Sequence, residues 1–157
     1  MEKFVKDLMN EKVISVSRNT TVGELCKILL DNNITGTPVL DSDNHLVGMV
    51  TDADIITENI EPIFPMYFDP LIASFAYMEN FEKFTLDVKE YLSIKVEEIM
   101  TRKVKSLKPD TPVSKAVQIM VKDRLNRIPV VDGDNKVIGI IARADVLRSL
   151  LADARKD

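Results

Sequence analysis

The sequence predicts an α/β (α+β) fold made of one β-α-β-β-α unit written twice. Three observations predict it. The stretch from Val5 to Ile56 lies on Val96 to Leu147 at a constant offset of 91, without a gap, and about a third of the paired positions are identical. Each copy carries a helical apolar pattern followed by two β-branched runs that flank turn residues. Each then closes on the same junction, Gly48-Met49-Val50-Thr51-Asp52-Ala53-Asp54 in copy one and Gly139-Ile140-Ile141-Ala142-Arg143-Ala144-Asp145 in copy two. A repeat read from the sequence decides the architecture, and a solenoid needs at least about three copies. Two copies instead predict a pseudo-symmetric pair. A unit of about 50 residues buries too little surface alone, so the copies are expected to share a core, with a seam in which a ligand can sit.

The elements follow in order. Each copy opens on a short helical start, Val5 to Met9 and Val96 to Met100, and passes into an extended run, Val13-Ile14-Ser15-Val16 and Val104-Lys105-Ser106-Leu107. In copy one, Thr21 and Glu24 have the spacing of a capping box, which predicts a helix start. In copy two, Thr111 is followed by Pro112, and proline suits a first helical turn; the start in copy one is therefore open by one residue. The helices are predicted to run to about Asn33 and Arg124. Val22, Leu25, Ile28 and Leu29, like Val113, Ala116, Val117 and Met120, mark one buried face. Thr37 to Leu40 and Leu46 to Val50 flank Asp41-Ser42-Asp43-Asn44, and Ile128 to Val131 and Val137 to Ile141 flank Asp132-Gly133-Asp134-Asn135; turn residues between such runs predict hairpins. A last helix begins at Thr51 or Ala142. A small sheet with helices on one face is the expected packing.

The domain organisation predicted is copy one over 1–56, a helical insertion over 57–95, and copy two over 96–157. The insertion holds most of the aromatic residues, among them Phe64, Tyr67, Phe68, Phe75, Tyr77, Phe81 and Phe84, so it is no solvated linker. Its apolar side chains need burial, either as an extension of the core or against a second subunit or partner.

Composition excludes several classes. Apolar residues make up 45% and the net charge is -4, which gives no basic footprint for nucleic acid or an anionic membrane. No leader-like stretch and no apolar run near the ~18 residues of a membrane span is present, which predicts a soluble cytoplasmic protein. Cys26 is the sole cysteine and sits in the apolar helical pattern, where a small buried hydrophobe is the expected role. One cysteine and one histidine do not supply a zinc site of the usual type. Asp41, Asp43 and Asn44, with Asp132, Asp134 and Asn135, lack the glycine and terminal glutamate of a calcium loop and read as tight turns. His45 reads as an exposed loop histidine. No metal is expected.

The closing junction carries the chemistry. A helix start offers unpaired N–H groups and the positive end of the dipole to an anion. A hydroxyl at the cap adds a donor, and a carboxylate one turn on accepts from vicinal hydroxyls, as it does for ribose in other nucleotide folds. On the junction alone, capping explains Thr51 and Asp54 somewhat better than ligand binding does, although Ala142 has no side chain to cap and Asp145 is still present.

These segments together resemble a CBS (cystathionine-β-synthase) domain pair, or Bateman module: the tandem repeat, the Ile/Thr-Pro-Val-hydrophobic-Asp hairpin, and the Gly-hydrophobic-hydrophobic-Thr/Ala-x-Ala-Asp ending. The resemblance covers about two thirds of the chain, leaving out the insertion and the tips. It implies a stand-alone module of tandem CBS motifs packed about a pseudo-twofold axis and associating as a homodimer. It further implies a regulatory protein, not a catalyst, that senses an adenosine-containing ligand (AMP, ADP, ATP or S-adenosylmethionine) in the cleft between the motifs and signals occupancy to an unidentified partner protein.

Carried over residue by residue, the resemblance gives two related clefts. The first uses Thr51 for phosphate, Asp54 for ribose, Lys105 near the base, Leu125 and Asn126 as pocket wall, and Arg127 for phosphate. The second uses Asp145 for ribose and Ile14, Ile34 and Thr35 as wall; Ala142 replaces the hydroxyl, Gly36 stands where Arg127 does, and Arg143 is the residue available to compensate. The first cleft is therefore expected to bind better. No cofactor is required and no catalytic residues are assigned, since no general base or metal-carboxylate cluster accompanies the junction. The charged tail after Asp145, with Arg148, Arg155 and Lys156, reads as a solvated face. The alternative is an interaction module whose clefts stay empty and which acts through the apolar insertion.

Overall fold

The computed structural model describes residues 2–56 and 86–155. It is a mixed α/β fold. Copy one contains a 3-10 turn (Val5–Asp7), β1 (Val16–Ser17), α1 (Val22–Asp31), β2 (Gly36–Leu40), β3 (Leu46–Thr51) and α2 (Asp52–Ile55). Copy two contains α3 (Val96–Ile99), α4 (Val113–Lys122), β4 (Arg127–Val131), β5 (Val137–Ala142) and α5 (Arg143–Ala154). Strands β1, β2 and β3 form one sheet in that order, and β4 and β5 form another. The expected insertion falls mostly on 57–85, outside the described residues; 86–92 are helical.

Local chemistry explains where the elements begin and end. Thr21 caps α1: its hydroxyl accepts from the Glu24 N–H at 3.2 Å and the Glu24 carboxylate accepts from the Thr21 N–H at 2.9 Å, the reciprocal bonds of a capping box. Helix α4 starts in the same register, with Pro112 as its cap residue, one place earlier than the first-turn position expected. Thr111 does not cap α4. Its hydroxyl accepts from Lys108 N–H at 3.2 Å, as Thr20 does from Ser17 N–H at 3.1 Å. Both extended runs turn at once on these bonds, which is why they yield so little strand. In copy two only Leu107 pairs, its N–H donating to Pro129 O at 3.0 Å and its carbonyl accepting from Val131 N–H at 2.9 Å.

Helices α1 and α4 end two residues sooner than the sequence pattern suggests. Asn33 (φ 52°) and Arg124 (φ 55°) take the left-handed conformation, which a helix cannot continue through. The following N–H groups reach back to the last turn, Ile34 to Leu29 O at 3.0 Å and Leu125 to Met120 O at 2.9 Å. These bonds satisfy carbonyls the helix leaves open.

The hairpins match the sequence reading closely. Arg127 faces Ala142 and Pro129 faces Ile140, with an irregularity between Val130 and Val131. Asp132 Oδ1 accepts from Asp134 N–H at 2.9 Å and Lys136 N–H at 3.0 Å. Asp41 Oδ1 does the same for Asp43 and His45, both at 2.9 Å. These bonds hold Asn44 (φ 66°) and Asn135 (φ 62°) in the left-handed region, which asparagine tolerates.

Two compact units form, and each draws on both copies. One consists of Met1–Ser15, Pro38–Gly48 and Arg102–Asp157; the other of Val16–Thr37 and Met49–Thr101. In the first, the opening turn of copy one joins copy two: Val5 N–H donates to Thr111 O at 2.8 Å, and Asn10 exchanges bonds of 2.8 and 3.0 Å with Ile140. Val5 thereby enters a core of Leu107, Ala116, Met120, Ile128, Val130 and Ile141. In the second, the opening turn of copy two joins copy one: Val96 N–H donates to Thr20 O at 2.8 Å, and Thr101 and Met49 exchange two bonds of 2.9 Å. Val96 and Val5 are both fully buried, so each copy closes its partner's unit with an equivalent valine.

Candidate functional site

The two closing junctions are built alike. β3 ends at Thr51, which is extended (φ -131°, ψ 170°) and precedes α2; β5 ends at Ala142 (φ -114°, ψ 161°), which precedes α5. The first helical N–H is tied to the residue before the hairpin, Asp52 to Thr35 O at 2.8 Å and Arg143 to Asn126 O at 3.0 Å. The predicted wall residues Thr35 and Asn126 are thus attached by their own backbones to the junctions.

The two carboxylates do the same local work. Asp54 Oδ2 accepts from Thr51 N–H and Asp145 Oδ2 accepts from Ala142 N–H, each at 2.8 Å. This half of a capping box needs only the backbone of the cap residue. Alanine at 142 therefore does not speak against capping, as the sequence suggested: Asp145 holds a backbone donor that any residue but proline presents there.

The remaining oxygens differ. Thr51 Oγ1 lies 3.3 Å from Asp54 Oδ2, and Asp54 Oδ1 takes no protein hydrogen bond among the described residues. Asp145 Oδ1 accepts from Arg148 Nη1 at 2.6 Å. The face is solvated as expected, with Arg148 exposed, but its charges are paired: on the same helix Lys3 Nζ donates to Ser149 Oγ at 2.7 Å and Asp153 Oδ2 at 2.6 Å. The signal for Arg148 was present in the sequence as a three-residue spacing from Asp145 on one helix.

Arg143 lies back on the end of α4. Its Nε donates to Leu125 O at 2.9 Å and its Nη2 to Met120 O at 3.2 Å, where a cation meets the negative end of a helix. Copy one has Asp52 at this position and leaves room there. A cavity of about 400 Å³ has Cys26, Leu29, Leu30, Ile34, Asp52 and Ile55 among its lining residues. Burial pushes the Cys26 thiol up from its ordinary value, which keeps it in the unreactive thiol form.

The other predicted residues are placed as follows. Thr51, Asp54, Ile34 and Thr35 belong to one unit; Ile14, Lys105, Leu125, Asn126, Arg127, Arg143 and Asp145 belong to the other. Lys105 Nζ is 3.7 Å from Asp123 Oδ2, a partner the sequence reading missed. Leu125 packs against the core of its unit. Arg127 is half-buried at the start of β4, more enclosed than a solvated arginine. His45 is also half-buried, with Nδ1 3.1 Å from Asp41 Oδ2, which corrects the exposed-loop reading. Asp41, Asp43 and His45 form a close group, and Asp41 spends both oxygens on bonds within the turn.

A family model described as the CBS domain matches residues 5–61 and again 96–152. Protein MJ1426 of Methanocaldococcus jannaschii is 33% identical over 154 residues, covering 94% of this chain and 91% of that protein. Two enzymes match over a small part of their own length: the chain spans 24% of a homoserine O-acetyltransferase of Methanohalobium evestigatum and 23% of an inosine-5'-monophosphate dehydrogenase of M. jannaschii. Among solved structures, the CBS domain pair of protein MJ0100, in complex with 5'-methylthioadenosine and S-adenosyl-L-methionine, is 25% identical with a TM-score of 0.70, covering 98% of this chain and 99% of that one. CBSX2 in complex with AMP is 25% identical with a TM-score of 0.70, covering 96% and 98%; this CBS-pair protein is from Arabidopsis thaliana. The repeat read at an offset of 91, the paired junctions and the family match over both copies lead to one conclusion: the chain belongs to the CBS domain family, as a tandem pair.

Proposed function

We propose that this chain is a regulatory module that binds an adenosine-containing ligand and passes its occupancy to a partner protein. One observation carries the reading: Asp54 is held by its own junction through Oδ2 and presents Oδ1 without a protein partner among the described residues. A carboxylate so fixed accepts hydrogen bonds from a ribose diol without reorganising. The complexes of CBSX2 with AMP and of MJ0100 with 5'-methylthioadenosine and S-adenosyl-L-methionine support an adenosine ligand. In this reading Thr51 and Arg127 take phosphate, Lys105 lies near the base, and Leu125 and Asn126 flank it. Asp145, with Ile14, Ile34 and Thr35, serves a second, weaker site; Arg143, whose guanidinium is held on the end of α4, would have to leave those carbonyls to compensate there.

The chain acts by binding and performs no catalytic step. A ligand that prefers one arrangement of the protein shifts the population toward it by its differential affinity. The readout is contact with another protein or a second copy. Leu147, Leu150 and Leu151 on α5 are 61%, 61% and 63% exposed, an apolar set that favours association. A homodimer working in the cytoplasm is the assembly proposed; no helix among the described residues is long and apolar enough to cross a membrane. The same apolar set also supports the second reading, an interaction module that needs no ligand.

Thermal unfolding separates the two. Wild type and Asp54→Ala are melted against AMP, ADP, ATP, S-adenosylmethionine and NAD. A ligand at 100 times its dissociation constant adds about 2.7 kcal/mol. A saturable rise with an adenosine ligand, lost in Asp54→Ala, supports the sensor. A flat panel with both proteins folded supports the interaction module.

A further inference from the structure

We propose that Arg148 is a built-in occupant of the second sugar-binding carboxylate, and that it ranks the two repeats by competing with the ligand at Asp145. The inference rests on the adenosine reading above and adds how one of its sites is regulated. Asp54 and Asp145 are equivalent through Oδ2, each accepting a cap N–H at 2.8 Å. They diverge at Oδ1. Asp54 keeps it open among the described residues, whereas Asp145 gives it to Arg148 at 2.6 Å. The position 91 residues before Arg148 is Thr57, which brings no cation to copy one.

The pair is arranged to exchange. The Asp145 side chain is 19% exposed, and that of Arg148 is 73% exposed. The carboxylate therefore stays fixed by its junction, while the guanidinium is free to leave into water without unpacking anything. Both residues line a cavity of about 330 Å³ with Lys3, Asp7, Leu8 and Ser149, so there is space beside the pair. A diol that donates to Asp145 must displace Arg148 from Oδ1 first, and the apparent affinity falls by the strength of that ion pair. An ion pair with one well-exposed partner supports a change of about twofold to fivefold.

The test isolates the second site. Asp54→Asn is titrated by calorimetry with AMP and with adenosine, alone and combined with Arg148→Gln; wild type is titrated alongside. Arg148 is on the surface and glutamine keeps helix propensity, so the fold is retained. The account expects Arg148→Gln to tighten the remaining site by about twofold to fivefold, equally for AMP and adenosine, because the competition is for the diol. An unchanged or weaker affinity in the double variant overturns the inference, and weakening for AMP alone shows that Arg148 grips phosphate. In either case wild-type binding leaves the sensor reading standing. Absence of AMP and adenosine binding in wild type and in both variants overturns the sensor reading and this inference together.

Discussion

Asp145 accepts the backbone N–H of Ala142 at 2.8 Å, although Ala142 has no side chain with which to cap in return. The bond closes the start of α5 from one side only. Removing the acceptor leaves a half-buried donor open. Asp145→Ala is expected to lower stability by about 1 kcal/mol, and Asp145→Asn, which keeps an acceptor oxygen, by less. Urea denaturation checks both. The same bond at Thr51 means that Asp54→Ala carries a stability cost of its own, so ligand effects must be read against each variant's own unliganded melting point.

Arg143 bridges the start of α5 and the end of α4. Its two bonds to Met120 O and Leu125 O are charge-assisted and lie where the helix dipole favours a cation. Arg143→Ala is expected to lose about 1–2 kcal/mol in chemical denaturation. Arg143→Lys should recover only part of that, because an ammonium does not reproduce the fork of a guanidinium.

The hairpin aspartates predict a pH dependence. Asp132 is held below its ordinary value of 3.8 chiefly by the backbone N–H groups of Lys136 and Asp134. Asp41 is lowered in the same way, first by His45 N–H. A carboxyl lowered in the folded state stabilises fully above its unfolded pKa and loses that contribution as pH falls through the folded one. Asp132→Asn should therefore be less stable than wild type above about pH 4, with the difference shrinking below it. Denaturation across pH 2 to 7 measures the convergence; a difference that is constant over that range excludes the charge as its source.

Gly139 meets Met9 across the joint between copy one's opening turn and β5. A Cβ added at Gly139 would stand 2.5 Å from Met9 Sδ and 3.0 Å from its Cγ, closer than contact permits. The clash is with the flexible end of the Met9 side chain, which can swing aside, so Gly139→Ala is expected to destabilise by about 1 kcal/mol or less. In the background Met9→Ala the clash is gone, so the two substitutions should be non-additive in a double-mutant cycle.

Much of this was legible in the sequence because repeats and turns are local signals. The offset of 91 set the order of elements, and the Asp-x-Asp-Asn turns, with the Thr21 capping box, located hairpins and a helix start to within a residue. Helix ends were misjudged because Asn33 and Arg124 carry no glycine to announce a left-handed residue; only the backbone reveals it. The thin first strands were overstated because Thr20 and Thr111 bend the chain immediately, a use of the hydroxyl that competes with capping. At the junctions, Asp54 and Asp145 were found by pattern. What separates them, Arg148 on Asp145, depends on a partner one helical turn away that the charged tail disguised. The exchange of opening turns between the two copies was beyond the sequence, since Val5 and Val96 look equally able to serve either copy.

The most direct measurement is a calorimetric cycle with AMP and its 2',3'-dideoxy analogue on Asp145→Asn, which leaves the first site alone, and on the double variant Asp54→Asn/Asp145→Asn. The account predicts that removing the hydroxyls weakens binding to Asp145→Asn by about tenfold or more and weakens the double variant no further, because the diol and Asp54 are one interaction. Equal losses in both proteins, or a dideoxy analogue that binds Asp145→Asn as AMP does, would contradict the assignment of Asp54 to the ribose.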